Sequence, residues 1–199
     1  MRSTIATLRD MVPLRPLTLP EALRVADLQA SRLLELTGVT EPPVPEAIIT
    51  ELPRVQVERM KLAGISGAAE WSHGRWLILI NGSDVPGRQR FSLLHEFKHV
   101  LDNPFISLLY PDAPGTSSHD RGEQACDYFA GCVLVPRPWL KRAWATGLQD
   151  EAALAERFGA SRAAIRTRLL QTGLSGPASR CAPRRSYQRQ QAGVLAWAA

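Results

Sequence analysis

The stretch Arg88-Gln89-Arg90-Phe91-Ser92-Leu93-Leu94-His95-Glu96-Phe97-Lys98-His99-Val100-Leu101-Asp102 decides how the chain is read. Phe91, Leu94, Phe97, Val100 and Leu101 recur every three or four positions, the period of a helix with one face on a core, so a helix is expected over about residues 87–102. Positions i and i+4 of a helix sit one above the other, which aims His95 and His99 at a common point where two imidazoles can hold a zinc ion. Glu96, one residue round from the first imidazole, can reach a water on the open side of such a metal. The bare pattern also fits a solvent-facing helix with two satisfied histidines, so the surrounding chain has to decide.

Upstream, three runs read as strands. Residues 55–60 alternate apolar and polar side chains, and residues 67–72 and 75–81 flank His73-Gly74, a tight hairpin turn. Trp76-Leu77-Ile78-Leu79-Ile80 is the most apolar run and is expected to be a central strand. A small sheet leading into a helix with a zinc motif is the usual opening of a zincin catalytic domain, although fold analogy alone settles no function. An edge strand beside the cleft could pair with an extended peptide.

Two histidines need a third protein ligand and an open position to make a catalytic zinc site. An extended motif with a third histidine would place glycine and histidine at positions 102 and 105, where this chain has Asp102 and Phe105. The remaining option is a carboxylate from a second helix. Residues 103–120 are rich in Pro, Ser, Gly and Asp and read as a loop, and a helix follows over about residues 122–135, stopped by Pro136 and Pro138. Glu123 stands near its start. Asp127 follows four residues later on the same face, where it could accept the free ring N–H of a ligand histidine. Alone, Glu123 would read as a carboxylate favoured by the helix dipole, and the histidine pair with Asp127 tips it toward the metal. Asp102 reads either as a helix-terminal residue or as a hydrogen-bond partner of one histidine.

Taken together, the block from Arg88 to His99 and the block Glu123-Gln124-Ala125-Cys126-Asp127-Tyr128-Phe129-Ala130-Gly131-Cys132-Val133-Leu134-Val135-Pro136 resemble the ImmA/IrrE family of metallo-endopeptidases. The second block in that family commonly runs Glu-x-x-Ala-Asn/Asp-x-Phe-Ala-x-x-Leu-Leu-Met-Pro; here Cys126, Val133 and Val135 are small apolar exchanges. The resemblance covers roughly residues 50–170. It implies an α+β fold, a zincin-like (gluzincin-type) metalloprotease domain with a small sheet, in which His95, His99 and Glu123 bind Zn2+ and Glu96 is the general base. It also implies a protein substrate, since family members act on helix-turn-helix repressors. A further donor to the oxyanion is expected, and the sequence leaves Tyr110, His119 and Tyr128 unranked.

The rest of the chain organises around this centre. Residues 1–19 show no clean period. Pro20 opens an apolar-rich helix closed by Gly38, a proline-stiffened break follows at residues 41–45, and a short helix is expected at 46–52. After a helix at 139–146, residues 151–170 read as two short helices joined at Gly159, with Ser161 capping the second. This unit is helix-turn-helix-like, with Arg162, Arg166 and Arg168 on its second helix, and packing against the protease is preferred over DNA contact. Residues 175–199, with Arg180, Arg184, Arg185 and Arg189, read as a flexible basic tail. The expected organisation is a helical segment 1–45, a catalytic domain 46–146, the helical pair 147–174 and the tail 175–199.

Composition is consistent with this plan. At 199 residues and 45% hydrophobic content the chain can bury one sizeable core. The net charge of +5 permits nucleic-acid contact without showing it, because part of the excess sits in the tail. Three cysteines without a CxxC pair fit reduced thiols and a cytoplasmic location, and neither a signal peptide nor an apolar run long enough for a membrane is evident. The competing function is a non-catalytic regulatory module of the same fold that binds a repressor or DNA. The intact set His95, Glu96, His99 and Glu123 favours the enzyme.

Overall fold

A computed structural model describes residues 2–111 and 117–175. Nine helices and three strands follow one another among them: α1 (Thr4–Arg9), α2 (Leu19–Thr37), α3 (Ala47–Thr50), β1 (Val55–Met60), β2 (Gly67–Ser72), β3 (Arg75–Asn81), α4 (Pro86–Asp102), α5 (Ile106–Leu109), α6 (Ser118–Leu134), α7 (Arg137–Ala145), α8 (Glu151–Phe158) and α9 (Arg162–Thr172). The fold is mixed α+β, a small sheet covered by helices. The segment 175–199 begins at the edge of the described residues and lies almost wholly outside them, together with its arginines.

The sheet has the order β1-β3-β2, with β1 parallel and β2 antiparallel to β3. The apolar run is the central strand, and its alternate residues Trp76, Ile78 and Ile80 are buried. His73 and Gly74 both take positive φ, 49° and 79°, the pair of left-handed residues that lets a two-residue turn follow the twist of a hairpin. Trp71 and Trp76 face each other across that hairpin, ring centroids 5.4 Å apart. Both outer strands have a free edge within the sheet. Asn81 fixes the approach to β2, donating to the carbonyls of Leu62 and Ile65 at 3.1 Å each.

α4 crosses β2 and β3; its periodic residues Leu94, Phe97, Val100 and Leu101 enter the main core together with Leu93, and Phe91 packs against that core partly buried. α6 packs between α4 and α2, adding Phe129, Ala130 and Val133 opposite Ala26, Ala30 and Leu33. α2 starts as its sequence predicts, with Glu21 accepting the Thr18 backbone N–H at 2.9 Å, and ends on Gly38 at φ 68°. Residues 1–45 therefore share the core of the residues that follow. The six-residue α1 was not foreseen in a stretch without period: Ser3 caps it, Leu8 is buried, and Arg9 reaches across to the Val100 carbonyl at 2.7 Å.

Two further boundaries differ from expectation. α6 begins at Ser118 rather than near Gly122, because Ser117 and Asp120 form a capping box ahead of a polar first turn that carries no apolar signal. The segment after α4 is not a plain loop: a 3-10 turn (Asn103–Phe105) and α5 direct Tyr110 inward. α8 and α9 pack on each other, with Asp150 and Ser161 capping their starts and Gly159 and Gly173 ending them at φ 59° and 73°. The turn between them presses directly on α4. A Cβ at Gly87 would stand 2.9 Å from the Ser161 nitrogen and 3.0 Å from the Ala160 carbonyl carbon. No helix of the described residues is long and apolar enough to cross a membrane.

Candidate metal centre

The core face of α4 buries the apolar stripe, and the helix then necessarily turns His95 and His99 together toward α6. Their Nε2 atoms stand 3.1 Å apart. Glu123, on the second turn of α6, brings one carboxylate oxygen to 3.2 Å from His95 Nε2 and the other to 3.2 Å from His99 Nε2. Each Glu123 oxygen thus faces a different imidazole, at separations close to the roughly 3.3 Å between ligands that lie about 2.0–2.1 Å from a tetrahedral zinc ion. The chemistry of this donor set, two imidazoles and a carboxylate, fits a catalytic zinc with one open position. The structure thus brings together His95, His99 and Glu123.

Asp127 lies one turn further along α6, and its Oδ1 is 2.8 Å from His95 Nδ1. An N–H on Nδ1 donating to that carboxylate leaves the Nε2 lone pair facing Glu123 and His99. Burial works against the protonated form of His95, but the Asp127 hydrogen bond and the charges of Asp127, Glu123 and Glu96 outweigh it and raise the pKa above that of a free imidazole. His99 behaves oppositely: burial, then the neighbouring His95, lowers its affinity for a proton. Glu96 is 9% exposed, and burial holds its carboxyl above the usual carboxylate range against the opposing charge of His95.

Gly67, the first residue of β2, explains how Glu96 fits beneath the sheet edge. A Cβ there would stand 2.9 Å from both Glu96 Cγ and Oε1. Asp102 does not touch either histidine. It accepts from Lys98 Nζ at 2.5 Å and from the Tyr110 hydroxyl at 2.6 Å, so all three groups are spent on one another in a buried layer behind the centre. Tyr110, so occupied and buried, is thereby removed from the candidates for an oxyanion donor. His119 remains at the rim of the site, its Nδ1 3.9 Å from Glu123 Oε1, and Tyr128 lines the cleft.

Sequence reasoning overlooked one neighbour. The Cys126 sulfur and ring nitrogens of His95 and His99 all lie within 4.8 Å of one another. Its position three residues after Glu123 on α6 was the available signal. Burial pushes that thiol well above its ordinary pKa in the metal-free chain, so Cys126 and Glu123 stand as two neighbouring candidates for a third donor.

The centre opens into a cleft of about 710 Å3, walled by Gly67 and Phe91 on one side and by Tyr128, Ala164, Thr167 and Arg168 on the other. α9 forms part of this wall. Of the arginines on its sequence, Arg168 points into the interior, and Arg166 pairs with Glu151 at 2.8 Å.

Comparison with known proteins gives three findings. A peptidase family whose domain is described as IrrE N-terminal-like matches residues 53–170. The radiation response metalloprotease IrrE of Deinococcus radiodurans is 30% identical over 156 residues, which cover 74% of this chain and 42% of that protein. The chain therefore spans less than half the length of this relative. A Mycobacterium tuberculosis transcriptional regulator has a similar fold, with TM-score 0.59 and 19% identity over 84% of this chain and 52% of that one.

Proposed function

The chain belongs to the IrrE N-terminal-like metallopeptidase family, and from that premise we propose that it is a zinc-dependent endopeptidase acting on a regulatory protein, a helix-turn-helix repressor being the substrate class its motifs imply. The observation that carries the reading is the triangle of His95, His99 and Glu123, with donor atoms 3.1–3.2 Å apart. Residues 46–146 supply every side chain of the centre, the pair 147–174 adds a wall of the cleft, and 1–45 back the core.

His95, His99 and Glu123 hold the metal, and Asp127 fixes the His95 ring in the orientation that presents Nε2. Zinc bound there supplies a Lewis acid that polarises the scissile carbonyl and lowers the pKa of a water. Glu96, as carboxylate, takes the proton of the attacking water and afterwards gives it to the leaving amine. Its burial against Gly67 matches that task, since a raised pKa makes the protonated form a usable donor. The free edge of β2 offers backbone groups to which an extended peptide can add as a strand.

The test is Glu96→Gln in the metal-loaded protein. Zinc content should stay at one per chain while cleavage of the substrate falls at least about a hundredfold, the scale of lost general acid–base catalysis. Removing metal with a chelator should stop the wild type, and added zinc should restore it. Wild-type cleavage by the glutamine variant, or full activity without metal, would falsify the assignment.

A further inference from the structure

Arg168 is a charge that the fold buries among neutral hydrogen-bond partners. The residue is 2% exposed. Its Nε donates to the backbone carbonyl of Val135 at 3.2 Å, its Nη1 donates to Gln171 Oε1 at 2.8 Å, and its guanidinium lies over the Tyr128 ring at 5.4 Å. All three partners are neutral, and among the described residues no carboxylate comes within 4.0 Å. Desolvating a guanidinium is costly unless an anion compensates, and a carboxylate matches its planar fork of N–H donors better than these neutral partners do.

The location indicates where the anion comes from. Arg168 lines the same cleft as His95, Glu96 and Glu123. α6 is bared to make room for it: a Cβ at Gly131 would stand 3.0 Å from Arg168 Cδ. The other guanidinium on the cleft, Arg88, already pairs with Asp84 at 3.3 Å. Gly131 is eight residues beyond Glu123 on α6, about 12 Å along a helix that rises 1.5 Å per residue. An extended peptide advances about 3.3 Å per residue, so one laid along α6 would cover that distance in three or four residues.

We propose that Arg168 is a specificity residue that receives an acidic side chain, aspartate or glutamate, three or four residues from the bond that is cut. The proposal rests on the peptidase reading above. A planar guanidinium suits this role because it can bind a carboxylate with two parallel hydrogen bonds. Gln171, which also lines the cleft, is a neutral partner that can yield Nη1 when the carboxylate arrives.

The test is to expose a mixed peptide library to the full zinc-loaded chain and read the cut sites by mass spectrometry. Acids should be enriched at the third or fourth position on one side of the cut. A matched pair of peptides differing only as Glu or Gln there should differ in kcat/KM by about tenfold or more. Arg168→Lys should shrink that ratio and Arg168→Gln should bring it near one. The ratio compares two substrates of one protein, so it does not depend on how much of a variant folds, and the wild-type profile needs no variant. Cleavage without acid enrichment, or an unchanged ratio in Arg168→Gln, overturns the proposal. So does a preference that vanishes when peptide C-termini are amidated, because recognition would then be of the chain end. A library left wholly uncut overturns the peptidase reading itself, and this inference with it.

Discussion

His95 has both ring nitrogens engaged: Nε2 faces Glu123 and His99, and Nδ1 meets Asp127 at 2.8 Å. Removing Asp127 leaves the donors in place but frees the ring to rotate and makes it a weaker base. Asp127→Ala should therefore lower zinc affinity about ten- to a hundredfold, measured by competition with a chromophoric chelator. An unchanged affinity would remove Asp127 from the centre. That His95 and His99 share one face of α4, and Glu123 and Asp127 one face of α6, was legible from spacing, because helical periodicity alone decides which residues of one helix share a face; that the two faces meet was not. Nor were Cys126 and Arg168. Their meaning depends on which side of α6 and α9 turns inward, and that is set by contacts between segments far apart in the chain. Of the two readings of Asp102 the helix-terminal one holds, since it is the last residue of α4, while its partner Tyr110 arrives from a turn that composition disguised as loop.

At the scale of elements, the three strands, α2 and α4 fell within a residue or two of expectation, since alternation, apolar period and helix stops all agreed there. Disagreement gathered at short pieces. α1 has one buried residue, Leu8, and the first turn of α6 is polar, so neither could announce itself through a hydrophobic pattern. α9 depends on its cap: the Ser161 hydroxyl oxygen accepts the Ala164 N–H at 3.1 Å. Ser161→Ala should cost about 1 kcal/mol of stability, read from the shift of a denaturant midpoint at constant slope. A cost within a few tenths of a kcal/mol would mean that packing of Ile165 and Leu169 holds α9 without it.

For the whole molecule, the centre joins helices whose ligands are twenty-four positions apart, His99 and Glu123. Zinc that binds the folded chain alone stabilises it by mass action, about 2.7 kcal/mol at a hundredfold excess over Kd. Added zinc should thus raise Tm by roughly 5–10 °C, given about 2–4 °C per kcal/mol for a chain of this size, and a chelator should reverse the gain. A Tm indifferent to zinc in the wild type would mean that the three donors hold no ion. Segments 8–44 and 154–169 both contribute side chains to the main core, so unfolding is expected to lose them in a single transition.

The contact at Gly87 sets the gauge of the cleft. With the Ser161 nitrogen only 2.9 Å from where a Cβ would be, the bend between α8 and α9 abuts the start of α4 backbone to backbone, and any side chain at position 87 would push the two apart. On the peptidase proposal, a substrate entering beside this backbone contact would do so as a single drawn-out strand, so a folded target would first have to surrender a stretch of its own architecture.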